Sequence, residues 1–188
     1  MNNVISYFDA KQLFDKYVQT KYLRLHMRES EEIMRHLAKY FGTDENLWGC
    51  TGLLHDLDLD IIGSDLSLHG TKTVEILQQH SFGNELLYNA ILAHTPTTTV
   101  ERTTQLDFAL AASENVTGII SAYALMLPDK KVASVKTASI IKRLKEPRFA
   151  ASVNRAYIYD IENTGIELIP FIDLAINAMN SISDEIGM

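Results

Sequence analysis

From Lys21 to Gly42 the sequence KYLRLHMRESEEIMRHLAKYFG brings Leu23, His26, Ser30, Ile33, Leu37 and Tyr40 round at steps of three and four. That spacing predicts one amphipathic helix with His26 on its inner stripe and Gly42 as its stop. TDENLWGCTGLLHDL opens on a Thr43 cap and an acidic first turn, and a helix here stacks Trp48, Thr51 and His55, with Gly49, Gly52 and Asp56 beside them. The small residues let another backbone approach the end that carries His55 and Asp56. After an irregular stretch, DLDIIGSDLSL, the segment HGTKTVEILQQH predicts a helix with His69 at its entrance. In GNELLYNAILAHT, Leu87, Ala90, Ile91 and His94 share a face, and TPTTTVERTT is a polar loop rich in breakers. QLDFALAASENVTGIISAYALMLP aligns Leu110, Ala111, Glu114, Thr117, Gly118 and Ser121 and stops at Pro128. Three further helices are expected in SVKTASIIKRLKE, in PRFAASVNRAYIYDIENTG starting at Pro147, and in ELIPFIDLAINAMNSISDEIG. No alternating strand pattern of useful length, repeat or low-complexity segment appears. The expected fold class is all-α, one domain over residues 1–188 with a core at 20–128 and a helical extension at 129–188.

Composition narrows the function classes. Hydrophobic residues at 46% and charged residues at 22% describe a globular chain rather than a disordered one. No apolar run approaches the ~20 residues of a membrane helix, and MNNVISYFDAKQLFDKYV lacks the basic start and apolar core of a leader, so a cytoplasmic location is expected. Cys50, the single cysteine, excludes an internal disulfide and a multi-cysteine zinc site, which leaves His and carboxylates as metal ligands. The net charge of -7 argues against a nucleic-acid polymer as partner. It is unevenly spread: eight Lys or Arg and one acid lie between Lys130 and Arg155. Such a run is a solvated helix face or an anion-binding surface.

Four of the six histidines, His26, His55, His69 and His94, fall on inward faces or helix ends. A lone buried His is a core residue satisfied by one hydrogen bond. Asp56 and Glu114 change that reading, because a carboxylate on an apolar helix face needs a cationic partner and neutral imidazoles supply none. A divalent metal would. Imidazole with carboxylate suits Fe, Mn, Co, Ni or Zn, with Mg a further option, as one ion or two. His36 and His80 read as polar-face and helix-end residues, and Trp48 as core.

With His26, the adjacent His55-Asp56 and the distant Glu114, the sequence resembles the HD-domain metal-dependent phosphohydrolases, an all-α helical-bundle family. LHGTKTVEIL and AILAHT, carrying His69 and His94, look like the segments of the subset with two extra histidines. KRLKEPRFAASVNR is similar to the tail of uncharacterised bacterial members. The resemblance implies a first metal on His26, His55, Asp56 and Glu114, and a second on Asp56, His69 and His94. It departs from the family where Glu114 replaces Asp, and where Asp58 and Asp60 stand in the region that often carries Lys.

What the resemblance implies is hydrolysis of a phosphoester or phosphoanhydride in a small nucleotide or phosphorylated metabolite. Asp56, Asp58 and Asp60 are then the catalytic candidates. Arg24, Arg28, Lys142, Lys145 and Arg148 are candidate contacts to non-reacting phosphates. The alternatives are a non-catalytic metal- or nucleotide-binding module, a di-iron oxygenase of the same superfamily, and a purely structural helical protein.

Overall fold

The computed structural model describes residues 6–188, and among them there are helices and turns but no strand. Residues 1–5 of the N-terminal stretch read above lie outside the described residues. Helix α1 (Tyr7–Tyr17), which the sequence reading did not anticipate, begins where the Ser6 hydroxyl accepts from the Asp9 amide. It buries Ala10, Leu13 and Phe14.

Helix α2 (Lys21–Phe41) buries Leu23, Ser30, Ile33 and Leu37 as their spacing requires, and closes at Gly42 in the left-handed conformation (φ +67°). Tyr40 departs from the expected stripe. It is 58% exposed and stands edge-on to Phe41, whose own ring packs beside the buried Trp48.

Helix α3 (Glu45–Leu54) starts from Asp44 rather than Thr43, because Asp44 Oδ1 meets the amides of Asn46 and Leu47 at 2.8 and 3.0 Å. Gly52 lies against the α2 backbone. A Cβ there would meet the Ser30 carbonyl oxygen at 2.8 Å and the Glu31 Cα at 2.9 Å. The two helices therefore cross at backbone contact, which brings the end of α3 beside His26.

The irregular stretch holds a short helix, α4 (Leu59–Ile62), and a 3₁₀ turn at Leu66–Leu68. Helices α5 (Thr71–Gln79), α6 (Glu85–His94) and α7 (Gln105–Met126) follow. Thr104 and Asp107 form a capping box at the start of α7. Among the described helices α7 alone is long and apolar enough to cross a membrane by length and composition, and 61% of its apolar window is buried inside the protein.

Two apolar cores meet on α2. Leu23 and Met27 pack in one with Phe14 of α1, Leu53 of α3, Leu77 of α5 and Leu87 of α6. Ile33, Met34 and Leu37 pack in the other with α7, α8 (Thr137–Leu144) and α10 (Leu168–Ser181). Cys50 is buried in the first core, and burial pushes its thiol up to about 12.

The helix expected from Pro147 does not form over its first half. Residues 147–153 are turns, helix α9 spans only Arg155–Tyr159, and a 3₁₀ turn (Asp160–Thr164) runs to Gly165. The reason lies in Arg155, whose guanidinium donates to the carbonyls of Leu144, Glu146, Phe149, Ala150 and Val153 and so gathers a loop around itself. Asn115 Oδ1 accepts from the Asn154 amide at 2.9 Å and fixes this loop on α7. A last short helix, α11 (Ser183–Ile186), lies beside α2.

Candidate metal centre

The end of α3 presents His55 and Asp56 into a space framed by α2, α6, α7 and the start of α5. Asp56 is the hub. Its Oδ2 lies 3.5 Å from His26 Nε2 and 3.3 Å from His55 Nε2. Its Oδ1 lies 3.4 Å from both His69 Nε2 and His94 Nε2. Each carboxylate oxygen thus faces two imidazole nitrogens, and the two triads have the donor types and spacing to hold a metal ion each.

The far nitrogens define the tautomers. His55 Nδ1 faces the Gly52 carbonyl at 2.8 Å, and His94 Nδ1 faces the Ile91 carbonyl. Carbonyls only accept, so both Nδ1 atoms carry the proton. His69 Nδ1 faces Asp58 Oδ1 at 2.9 Å, which places its proton there too. His26 Nδ1 faces the Thr117 hydroxyl at 2.9 Å, and that hydroxyl already donates to the Glu114 carbonyl at 2.6 Å. The hydroxyl must therefore accept from His26.

With the proton on Nδ1, each of the four side chains directs its Nε2 at a carboxylate oxygen, and His26 and His55 also bring their Nε2 atoms within 3.2 Å of each other. One proton can relieve the Oδ2 side only. Burial opposes charge on His55, yet Asp56 outweighs it and pushes this imidazole up to about 9. Burial and neighbouring His55 bring His26 down to about 4, and burial holds His94 low. Burial alone would raise Asp56, but the surrounding imidazoles hold it well below the usual carboxylate range. The Oδ1 side remains an assembly of three acceptors, which a cation satisfies.

Glu114 lines the same cavity but stands outside both triads, with its Oε1 on the Asn115 side-chain amide. Burial pushes its carboxyl up to about 8. Of the six side chains expected from the sequence to converge, the structure brings five together, His26, His55, Asp56, His69 and His94, with Glu114 beside them.

Asp58 and Asp60 are not placed for catalysis. Asp58 is fully buried, and while Oδ1 holds His69, its Oδ2 accepts from the amides of Gly70 and Thr73 at 2.7 and 3.2 Å. Asp60 accepts from the Gln19 and Thr20 amides at 2.6 and 2.8 Å and from the Thr20 hydroxyl at 2.6 Å, so it anchors the start of α2.

The five candidate phosphate contacts lie elsewhere as well. Arg24 binds the Val18 carbonyl and Asp15 and stacks on Phe14, tying α1 to α2. Arg28 is held by Glu31 and Glu185. Lys142, Lys145 and Arg148 are exposed and line no part of the metal-site cavity.

That cavity, about 590 Å³, opens beside Asp56. The C-terminal extension forms part of its wall through Ser152, Val153, Ile186, Gly187 and Met188. Sequence reasoning missed these wall residues and also Glu29, three residues after His26 on α2. The i, i+3 spacing from His26 was the available signal for Glu29.

Four histidines with fixed tautomers around one shared carboxylate, in an all-helical frame, define a site suited to divalent metal. Residues 24–114 match the HD domain, and this match supports membership of the HD-domain superfamily. No curated protein and no solved structure matches it.

Proposed function

We propose that this protein is a metal-dependent phosphohydrolase that cleaves a phosphoester or phosphoanhydride in a small nucleotide or other phosphorylated metabolite. The observation that carries the reading is the division of Asp56, with Oδ2 toward His26 and His55 and Oδ1 toward His69 and His94. Two divalent ions held there would supply a water activated at neutral pH and a positive clamp on a phosphoryl group.

The chain's own contribution is orientation. Gly52, Ile91, Asp58 and Thr117 fix the Nδ1–H of each imidazole, so that Nε2 is the donor atom in all four cases. The α2–α3 backbone contact at Gly52 sets His55 against His26. Leu23, Leu25, Leu125 and Val153 give the cavity an apolar lining. Action on a small metabolite is supported by the size of the cavity.

The test is elemental analysis of protein purified without added metal, beside Asp56→Ala, followed by a phosphate-release screen over nucleotides and sugar phosphates. About two equivalents of transition metal, lost in the variant together with phosphate release, are expected. Full turnover in Asp56→Ala overturns the assignment. Oxygen uptake with an organic substrate in place of phosphate release would move the site to the oxygenase branch.

A further inference from the structure

Two neighbouring glutamates on α2 are buried in opposite ways. Glu31 is 1% exposed and lies between two cations, Arg28 and Arg35, with Arg35 Nε at 2.9 Å. Glu29 is 4% exposed and, among the described residues, receives only the Ser121 hydroxyl, at 3.0 Å. Among the described residues no arginine or lysine reaches it, and none lines the cavity into which it faces. A carboxylate withdrawn from water without a cation is costly. Burial pushes Glu29 up to about 8 despite the Ser121 bond.

The charge balance of the proposed reaction leaves the same residue over. Asp56 and a phosphate dianion offset three of the four positive charges of two divalent ions, and the hydroxide formed from the activated water offsets the fourth. Glu29 belongs to neither triad. It shares the cavity with Asp56 and Glu114, and the wall around it is largely apolar, including Tyr22, Leu25, Leu125 and Met188. A ligand that fits this distribution has a phosphoryl group at one end, a short apolar body, and a positive charge at the other.

We infer that the cavity selects a small phosphorylated amine, whose ammonium pairs with Glu29 while its phosphoryl group lies at the Asp56 centre. The inference rests on the phosphohydrolase reading for the phosphoryl end, and on Glu29 and the cation-free wall for the amine end. Glu29 is on this account a specificity determinant. Ser121 is a positioning residue that holds Glu29 Oε1 and leaves the carboxylate available to the ligand.

The probes are two non-hydrolysable phosphonates of equal length, 3-aminopropylphosphonate and butylphosphonate, titrated calorimetrically into the metal-loaded protein. The wild type is expected to bind the amine about tenfold or more tightly, the range of a charge-assisted hydrogen bond. The ratio falls to near one in Glu29→Gln, which keeps the shape and the Ser121 bond, and circular dichroism verifies its fold. Ser121→Ala, which retains the carboxylate, keeps the preference. Equal binding of the two phosphonates by the wild type, or a preference that persists in Glu29→Gln, overturns the inference. Turnover of p-nitrophenyl phosphate is measured separately. Its absence with the binding ratio intact would remove the hydrolase reading and leave amine recognition standing.

Discussion

Asp58 holds His69 from behind: one carboxylate oxygen accepts from Nδ1 at 2.9 Å while the other accepts from the amides of Gly70 and Thr73. Its place in the sequence suggested a catalytic acid, but both oxygens are occupied in fixing a tautomer. Asp58→Asn can keep the amide bonds but places an NH₂ against Nδ1, which turns His69 to the tautomer that has a proton on Nε2. Metal titration of this variant should show one of the two equivalents weakened about 10- to 100-fold, the range for loss of a partner behind a metal-binding His. Unchanged affinity for both ions would remove the positioning role.

Gly52 tests the backbone contact. A methyl at this position meets the Ser30 carbonyl oxygen and the Glu31 Cα at under 3.0 Å, and neither atom belongs to a flexible side chain. Gly52→Ala should destabilise the protein by about 1–3 kcal/mol, as overpacking does, and separate His55 from His26. A thermal melt together with metal content checks both effects. The expected signature is a lower melting temperature with loss of metal from the His26–His55 side.

Stability should depend on pH through Glu29. Its folded-state carboxyl is raised to about 8 from an ordinary 4.5, so between those values the folded protein binds more protons than the unfolded chain. Stability therefore falls as pH rises through that window and levels off above it. Glu114, also raised to about 8, acts in the same direction. Denaturant titrations of metal-free protein across the window should show a shallower fall for Glu29→Gln than for the wild type. Parallel curves would remove Glu29 as a contributor.

Arg155 organises the cavity wall formed by Ser152 and Val153. A lysine cannot reach five carbonyls from one planar group. Arg155→Lys should cost about 1–2 kcal/mol through carbonyls left without a donor and speed amide hydrogen exchange in residues 146–154. Exchange unchanged from wild type would mean that the Asn115–Asn154 bond alone fixes the loop.

Much of this was legible in the sequence, for physical reasons that differ by segment. The i, i+3, i+4 spacing of α2 and the small residues of α3 specified both helices and their close crossing, because burial imposes those patterns directly. The convergence of His26, His55, Asp56, His69 and His94 could be anticipated because a buried carboxylate among neutral imidazoles needs a cation. The basic residues were misleading. Arg24, Arg28 and Arg155 carry the same charge whether they meet a ligand or a carbonyl, and the choice depends on Asp15, Glu185 and loop carbonyls that only the tertiary structure brings near. The Pro147 segment likewise scores as helix locally and is overridden by Arg155. Glu114 shows the limit at one side chain: its position on α7 was correct, while its contact with Asn115 depends on which way one carboxylate turns.

The sharing of α2 between two cores bears on how the protein comes apart. Leu23 and Met27 belong to one side and Ile33, Met34 and Leu37 to the other, with His26 on the same rod. Neither half can lose its packing without releasing a segment that the other half uses, so unfolding should be all-or-none rather than stepwise along the chain. Energy gained by ligation at Asp56 is then distributed to the whole molecule. Chelation should lower hydrogen-exchange protection as far away as Phe171 and Ile172 on α10, whereas a loss confined to α3 and α6 would show that the two cores open independently.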